Sequence, residues 1–125
     1  IGRFMKEKRQ SIKIVAVEPL DSAVLSSQPP GVHRIQGIGP GFEPKVFDRG
    51  VVDEIIPVSE KDSASFAHLA ARKEGILTGI SGGAALAATS ILVNKIENKD
   101  KMIVTLLPDL ADRYISTWLF SEYDE

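Results

Sequence analysis

Apolar and polar positions along the chain change their period several times, and each change marks a candidate element. Residues 1–9 read as a helix, with Phe4 and Met5 apolar and Lys6, Lys8 and Arg9 near its carboxyl end, where the helix dipole favours cations. Ile12-Lys13-Ile14-Val15-Ala16-Val17 is β-branched and mostly apolar, a strand that Glu18-Pro19 should stop because proline has no N–H to give a ladder. Asp21 to Leu25 predicts one helical turn. Val51 to Val58 predicts a second strand, with Pro57 placing its end at an edge or rim. Ser59 can cap a helix that runs to about Glu74 and stops at Gly75. After Ile76 to Ile80, the run Ser81-Gly82-Gly83 opens an Ala-rich helix to Ile96, apolar nearly all round and so expected to be buried. Met102 to Leu107 is a continuous apolar run, the kind of strand a parallel sheet buries on both faces. Pro108-Asp109 ends it, and Asp112 to Phe120 predicts a closing helix. Strands alternating with helices predict an α/β fold, a mainly parallel sheet of three main strands with flanking helices.

Between the first two strands the periodicity disappears. Pro29–Gly50 holds four of the seven prolines and five of the ten glycines in 22 residues. Loops this long inside a compact domain are uncommon and tend to be functional or disordered. Ile35, Ile38, Phe42, Val46 and Phe47 give this one something to bury, which argues against disorder.

Composition narrows the function classes. The chain has 125 residues, the size of one ordinary domain, and 43% hydrophobic with 26% charged residues is the balance of a globular protein. With 15 basic against 17 acidic residues, a net charge of −2, it lacks the basic excess of a nucleic-acid binder. It has no cysteine, which excludes thiol nucleophiles, disulfides and thiolate metal sites. The longest apolar stretch, Ala84 to Val93, is too short for a bilayer span, and no secretory leader is visible, so a reducing cytoplasm is the expected compartment. The chain opens on Ile1 inside an uncapped helical pattern, as expected of a truncated sequence.

Three places could carry chemistry. In Gln36-Gly37-Ile38-Gly39-Pro40-Gly41-Phe42 the glycines let backbone approach a ligand and expose N–H groups, although no helix follows and the spacing is not that of a dinucleotide fingerprint. A tight irregular turn is the alternative. Gly79-Ile80-Ser81-Gly82-Gly83 enters a helix, so its N–H groups could hold an anion beside the Ser81 hydroxyl. An ordinary capping serine, followed by glycines that allow close helix packing, is the alternative there. Leu107-Pro108-Asp109 lies at the carboxyl end of a strand, where ligands of open α/β sheets sit, or it simply terminates that strand. His33 and His68, the only histidines, have no partners at metal-ligand spacing and read as surface or boundary residues. Asp53 and Glu54 point to opposite faces of a strand, a poor acid–base pair. Glu7, Lys8 and Arg9 read as a solvated helix end.

The order of these features carries a resemblance. Ile14-Val15-Ala16-Val17-Glu18-Pro19, His33-Arg34-Ile35-Gln36-Gly37-Ile38-Gly39-Pro40-Gly41-Phe42, Gly75-Ile76-Leu77-Thr78-Gly79-Ile80-Ser81-Gly82-Gly83-Ala84-Ala85, and Leu107-Pro108-Asp109 with Arg113-Tyr114-Ile115-Ser116-Thr117 resemble the cysteine synthases. These are O-acetylserine sulfhydrylases of the fold type II pyridoxal-phosphate family. The likeness covers essentially all of residues 1–125 and is to the C-terminal portion of that family, as part of its large domain.

The resemblance implies a pyridoxal-phosphate cofactor and conversion of O-acetylserine and sulfide to cysteine and acetate. It implies that Ser81 hydrogen-bonds the cofactor's pyridine nitrogen, with Pro108 and Asp109 nearby, and that Gln36, Gly37, Ile38 and Gly39 line the substrate side. The family's Schiff-base lysine, substrate-carboxylate loop and phosphate loop lie in its N-terminal half, and none of the nine lysines here matches the catalytic position. The resemblance therefore assigns no catalytic residue and no metal site to this chain. Alone, it should be inactive, with weak or absent cofactor binding, and its sheet should be incomplete with an exposed edge. The resemblance further implies a homodimer, and family members often bind serine acetyltransferase; no nucleic-acid or membrane partner is expected. Two positions depart from the family's pattern: Gly82 stands where a second serine is usual, and Ala111 where a glycine is usual. A cystathionine β-synthase-like enzyme is the rival within the chemistry. A non-catalytic anion-binding or oligomerisation module is the rival outside it.

Overall fold

The structure, a computed structural model, describes residues 1–121. Helix α1 (Gly2–Lys8) has no side-chain cap and buries none of its residues, so ion pairs hold it to the rest. Arg3 Nε lies 2.8 Å from Asp48 Oδ2, and Lys6 Nζ lies 2.7 Å from Asp53 Oδ1. The other Asp53 oxygen accepts from the Ile14 N–H at 2.7 Å, so one carboxylate joins the helix to the start of the sheet.

Strands β1 (Val15–Pro19) and β2 (Glu54–Val58) pair in parallel, with Val17 opposite Ile56. Both differ from the sequence expectation. Glu18 and Pro19 belong to β1 and do not stop it; the Glu18 carboxylate folds back to accept from the Leu25 and Ser26 N–H groups at 2.8 and 3.0 Å. Residues 51–53 stay outside β2, because Arg49–Val51 form a 3₁₀ turn whose Gly50 N–H is held by Asp48 at 3.1 Å. Asp21–Leu25 becomes two 3₁₀ turns, Leu20–Ser22 and Val24–Ser26.

Helix α2 (Glu60–Glu74) begins at Ser59, whose hydroxyl accepts from the Asp62 N–H at 3.0 Å, and ends at Gly75 with φ +68°. Helix α3 (Ile80–Val93) packs on α2 through small residues. A Cβ on Gly83 would lie 2.0 Å from the Ser63 carbonyl oxygen, so the two backbones meet with nothing between them. Ile35, Ile56, Val58, Ala64, Ala67, Ile80, Ala84, Ala87, Ala88, Tyr114 and Leu119 form the core between these helices and the sheet. The helix stops at Val93, short of the expected Ile96, which lies in a separate 3₁₀ turn.

Two expectations at the carboxyl side are corrected. Met102–Leu107 is not a strand: among the described residues it has no ladder partner, so the sheet has two strands, not three. Its side chains still alternate, with Met102, Val104 and Leu106 exposed at 91%, 86% and 66%. The apolar run supplies one side of a pairing, but a strand needs a neighbour. The closing helix is split into a 3₁₀ turn (Ala111–Tyr114) and helix α4 (Trp118–Ser121). Thr117 makes the break, its hydroxyl donating to the Tyr114 carbonyl at 2.7 Å. In the long loop only Ile35 is fully buried, while Phe42 and Val46 are exposed, contrary to expectation.

Candidate functional site

The site forms where three segments converge on the N-terminus of α3. Thr78 and Leu110 make an antiparallel bridge, reinforced by Ala111 N–H to the Leu77 carbonyl at 3.2 Å and Gly79 N–H to the Asp109 carbonyl at 3.2 Å. This lays Asp109 over Gly79, where a Cβ would fall 2.3 Å from Asp109 Oδ1 and 2.4 Å from the Tyr114 ring. Only glycine fits there. Gly79 is the cap residue of α3 and has no side chain to bond the helix's first N–H groups.

Ser81 therefore sits inside the first turn and is not the capping serine that its sequence position allows. It is 8% exposed, and its hydroxyl has no hydrogen-bond partner among the described residues. Facing it is Gly37, whose missing Cβ would stand 4.0 Å from Ser81 Oγ. The fold thus brings the glycine loop close to the start of α3, although 44 positions separate them in the chain.

Asp109 is shared between two environments. Its Oδ2 accepts from the Tyr114 hydroxyl at 2.7 Å, while Oδ1 is buried without a partner. Desolvation, followed by this hydrogen bond and the Asp109 charge, pushes the Tyr114 phenol up to about 12, against a smaller opposing effect of Arg113. Pro108, by contrast, is exposed beside the site.

The loop Gln36–Gly41 carries positive φ at Gly37 (+92°), Gly39 (+64°) and Gly41 (+81°). It roofs a cavity of about 520 Å³ whose floor includes Val17, Glu18, Leu25 and Phe47. The Ser22 hydroxyl also lines that cavity and is buried without a partner. Gln36 is exposed at the rim, with Ile38 and Gly39 half-buried. Two side chains outside the expected set hold the loop. His33 bridges Ile35 and Gly39, at 3.2 and 2.8 Å. Arg34 gives both its backbone N–H and its Nε to the Glu60 carboxylate, the latter at 2.9 Å, and its guanidinium lies 4.1 Å above the Trp118 ring. The sequence gives no signal for this role of His33, because both its partners are backbone groups. Tyr114 and Ser22 gave no signal of their own. Among the described residues no three His, Asp or Glu side chains gather in metal-binding geometry, and no helix is long and apolar enough to cross a membrane.

Residues 1–109 match the model of the pyridoxal-phosphate dependent enzymes, and the chain belongs to that family. Within it, the chain is similar to cysteine synthase B of Campylobacter jejuni, 46% identical over 121 residues, which cover 97% of this chain and 40% of that protein. The crystal structure of a cysteine synthase from Entamoeba histolytica superposes with a TM-score of 0.96 at 44% identity, over 99% of this chain and 37% of that one. An O-acetylserine dependent cystathionine β-synthase from Helicobacter pylori superposes with a TM-score of 0.84 at 34% identity, over 95% and 38% of the two chains. The chain thus spans about two fifths of the length of these relatives.

Proposed function

We propose that this chain forms the C-terminal part of the large domain of a cysteine synthase, which makes cysteine and acetate from O-acetylserine and sulfide with pyridoxal phosphate. The observation that carries the reading is the Ser81 hydroxyl, which has no hydrogen-bond partner among the described residues, on a residue 8% exposed and close beside Gly37. A pyridine nitrogen held there would accept one hydrogen bond from the neutral Ser81 hydroxyl. When bound, the cofactor supplies the electron sink for elimination and replacement at the substrate's β-carbon. Ser81 sets the strength of that sink. A hydroxyl does not stabilise a proton on the ring nitrogen as a carboxylate does, which suits a reaction whose leaving acetate removes the electrons. Asp109, with Oδ2 fixed by Tyr114, keeps its other oxygen beside Gly79 and closes the far side of the helix N-terminus. Pro108 lies at the rim of this corner. Gln36–Gly39 line the substrate side, with Gly37, Ile38 and Gly39 bordering the cavity.

The exposed, unpaired Met102–Leu107 segment supports a sheet completed by strands outside this chain. The cysteine synthase reading is favoured over the cystathionine one by the higher identity, 46% and 44% against 34%. The same reading places the assembled enzyme in the cytoplasm as a homodimer open to serine acetyltransferase. Alone, the chain should bind pyridoxal phosphate weakly, since one neutral hydrogen bond is worth about 0.5–1.5 kcal/mol and micromolar affinity needs about 8.

The test joins this chain to the N-terminal part of the Campylobacter jejuni cysteine synthase and measures cysteine formed from O-acetylserine and sulfide. The joined protein should be active and Ser81→Ala should slow it, while the chain alone releases no acetate. Acetate release by the chain alone, or a joined protein that prefers a thiol amino acid to sulfide, overturns the reading.

A further inference from the structure

We propose that His33 is a positioning residue: a single imidazole tautomer clamps the turn Gln36–Gly39 between the Ile35 N–H and the Gly39 carbonyl. The inference rests on the reading of that turn as the substrate side. Its chemistry comes from the two partners. The Ile35 N–H can only donate, and it points at Nδ1 from 3.2 Å, so Nδ1 must offer a lone pair. The ring's one proton then resides on Nε2, which donates to the Gly39 carbonyl oxygen at 2.8 Å. The other tautomer would set N–H against N–H at Ile35 and lone pair against lone pair at Gly39. An imidazolium would lose the acceptor at Nδ1.

The two attachment points differ in rigidity. Ile35 is fully buried in the core, so it anchors the ring. Gly39 is a left-handed residue at φ +64° within a turn where the Gln36 N–H also donates to the Arg34 carbonyl at 3.1 Å. A Cβ on Gly39 would strike His33 Nε2 at 2.9 Å and the Pro19 ring at 2.5 Å, so the imidazole also packs against the turn. Glycine enters the left-handed region without strain but is equally free to leave it, so the clamp selects this conformation among those open to Gly39. With the clamp gone, the turn relaxes and carries Gly37 away from Ser81.

Nitrogen NMR of the full chain at about pH 8, above the ordinary imidazole range, reads the tautomer directly. Nδ1 of His33 should be unprotonated and Nε2 protonated. Three variants separate the contacts. His33→Gln can place an amide donor near the Nε2 position, His33→Asn keeps only an acceptor for the Ile35 N–H, and His33→Ala keeps neither. The Gly37 and Gly39 amide resonances should stay near their original positions in the Gln variant and move in the Asn and Ala variants. In the joined protein described above, Asn and Ala should raise the O-acetylserine KM roughly three- to ten-fold with kcat within about two-fold, and Gln should restore most of it. A proton on Nδ1, unmoved Gly37 and Gly39 resonances in the Ala variant, or a Gln variant no better than Ala overturns the proposal. If the tautomer and resonances come out as expected while the joined protein makes no cysteine, the clamp stands and the function assigned to the turn fails.

Discussion

Gly83→Ala tests the packing on which the site rests. The substitution adds one methyl group, placed 2.0 Å from the Ser63 carbonyl oxygen, 2.9 Å from Ala67 Cβ and 3.0 Å from Ala67 N. Two of those three atoms are backbone, and the third is an alanine methyl with no rotamer to escape into. The helices must therefore part by about 1 Å, and gaps of that size forfeit a quarter to a half of each dispersion contact along the seam. The seam is lined by Ala64, Ala67, Ala84, Ala87 and Ala88, all buried, so the loss is distributed along both helices. Replacing a helical glycine by alanine gains about 1 kcal/mol of propensity, whereas overpacking of this kind costs about 3–4 kcal/mol in total. The net expectation is a loss of about 2–3 kcal/mol, or roughly 8–12 °C in Tm for a chain of this length. Thermal and urea unfolding followed by far-ultraviolet circular dichroism measure it. Gly82→Ala should destabilise as well, because its Cβ would strike Thr78 Oγ1 at 1.9 Å and Thr78 Cβ at 3.0 Å on a β-branched side chain only 2% exposed. An unchanged or raised Tm for Gly83→Ala would show that propensity dominates and that the backbones do not meet there.

Two further predictions concern protonation. The Lys6 ammonium, and then the Ile14 N–H, hold the Asp53 carboxyl below its ordinary value of 3.8. A lowered folded value means stability present above about 3.8 and lost as pH falls through the folded pKa, so Asp53→Asn should flatten the acid limb of a Tm–pH curve; an unaltered limb would refute this. For Tyr114 the sign reverses: with the phenol raised to about 12, its contribution is complete below about 10 and is lost as pH climbs towards 12. In a Tyr123→Phe background, ultraviolet titration should find Tyr114 ionising well above an ordinary phenol and Asp109→Asn bringing it down; an ordinary titration in the parent would refute the burial.

Much of the local architecture is legible in the residues themselves. Ser59 and Gly75 bound α2 because a capping hydroxyl and a left-handed stop act over a single turn and need no partner from elsewhere. The burial of the first part of α3, Ile80 to Ala88, also agrees with its Ala-rich apolar sequence, whereas Ile91 and Val93 in its last turn are exposed. The positive φ at Gly37 and Gly39 is a property that glycine permits wherever the chain turns sharply.

The folded structure decided the rest, in some cases through a distant partner and in others through a nearby one that the residue pattern does not mark. Met102–Leu107 has the composition of a strand, but strand pairing is a relation between two segments and the described residues supply no second one. Asp112–Phe120 has the pattern of one helix, but the Thr117 hydroxyl captures the Tyr114 carbonyl and divides it. Ser81 reads equally well as a cap or a ligand residue until the Thr78–Leu110 bridge lays Asp109 over Gly79 and leaves the serine one step inside the helix. His33 looked solitary because its partners are backbone groups, which carry no identity in a sequence. Side-chain type determines what a short stretch of chain prefers, whereas hydrogen bonds between remote segments determine which of those preferences face one another across a site.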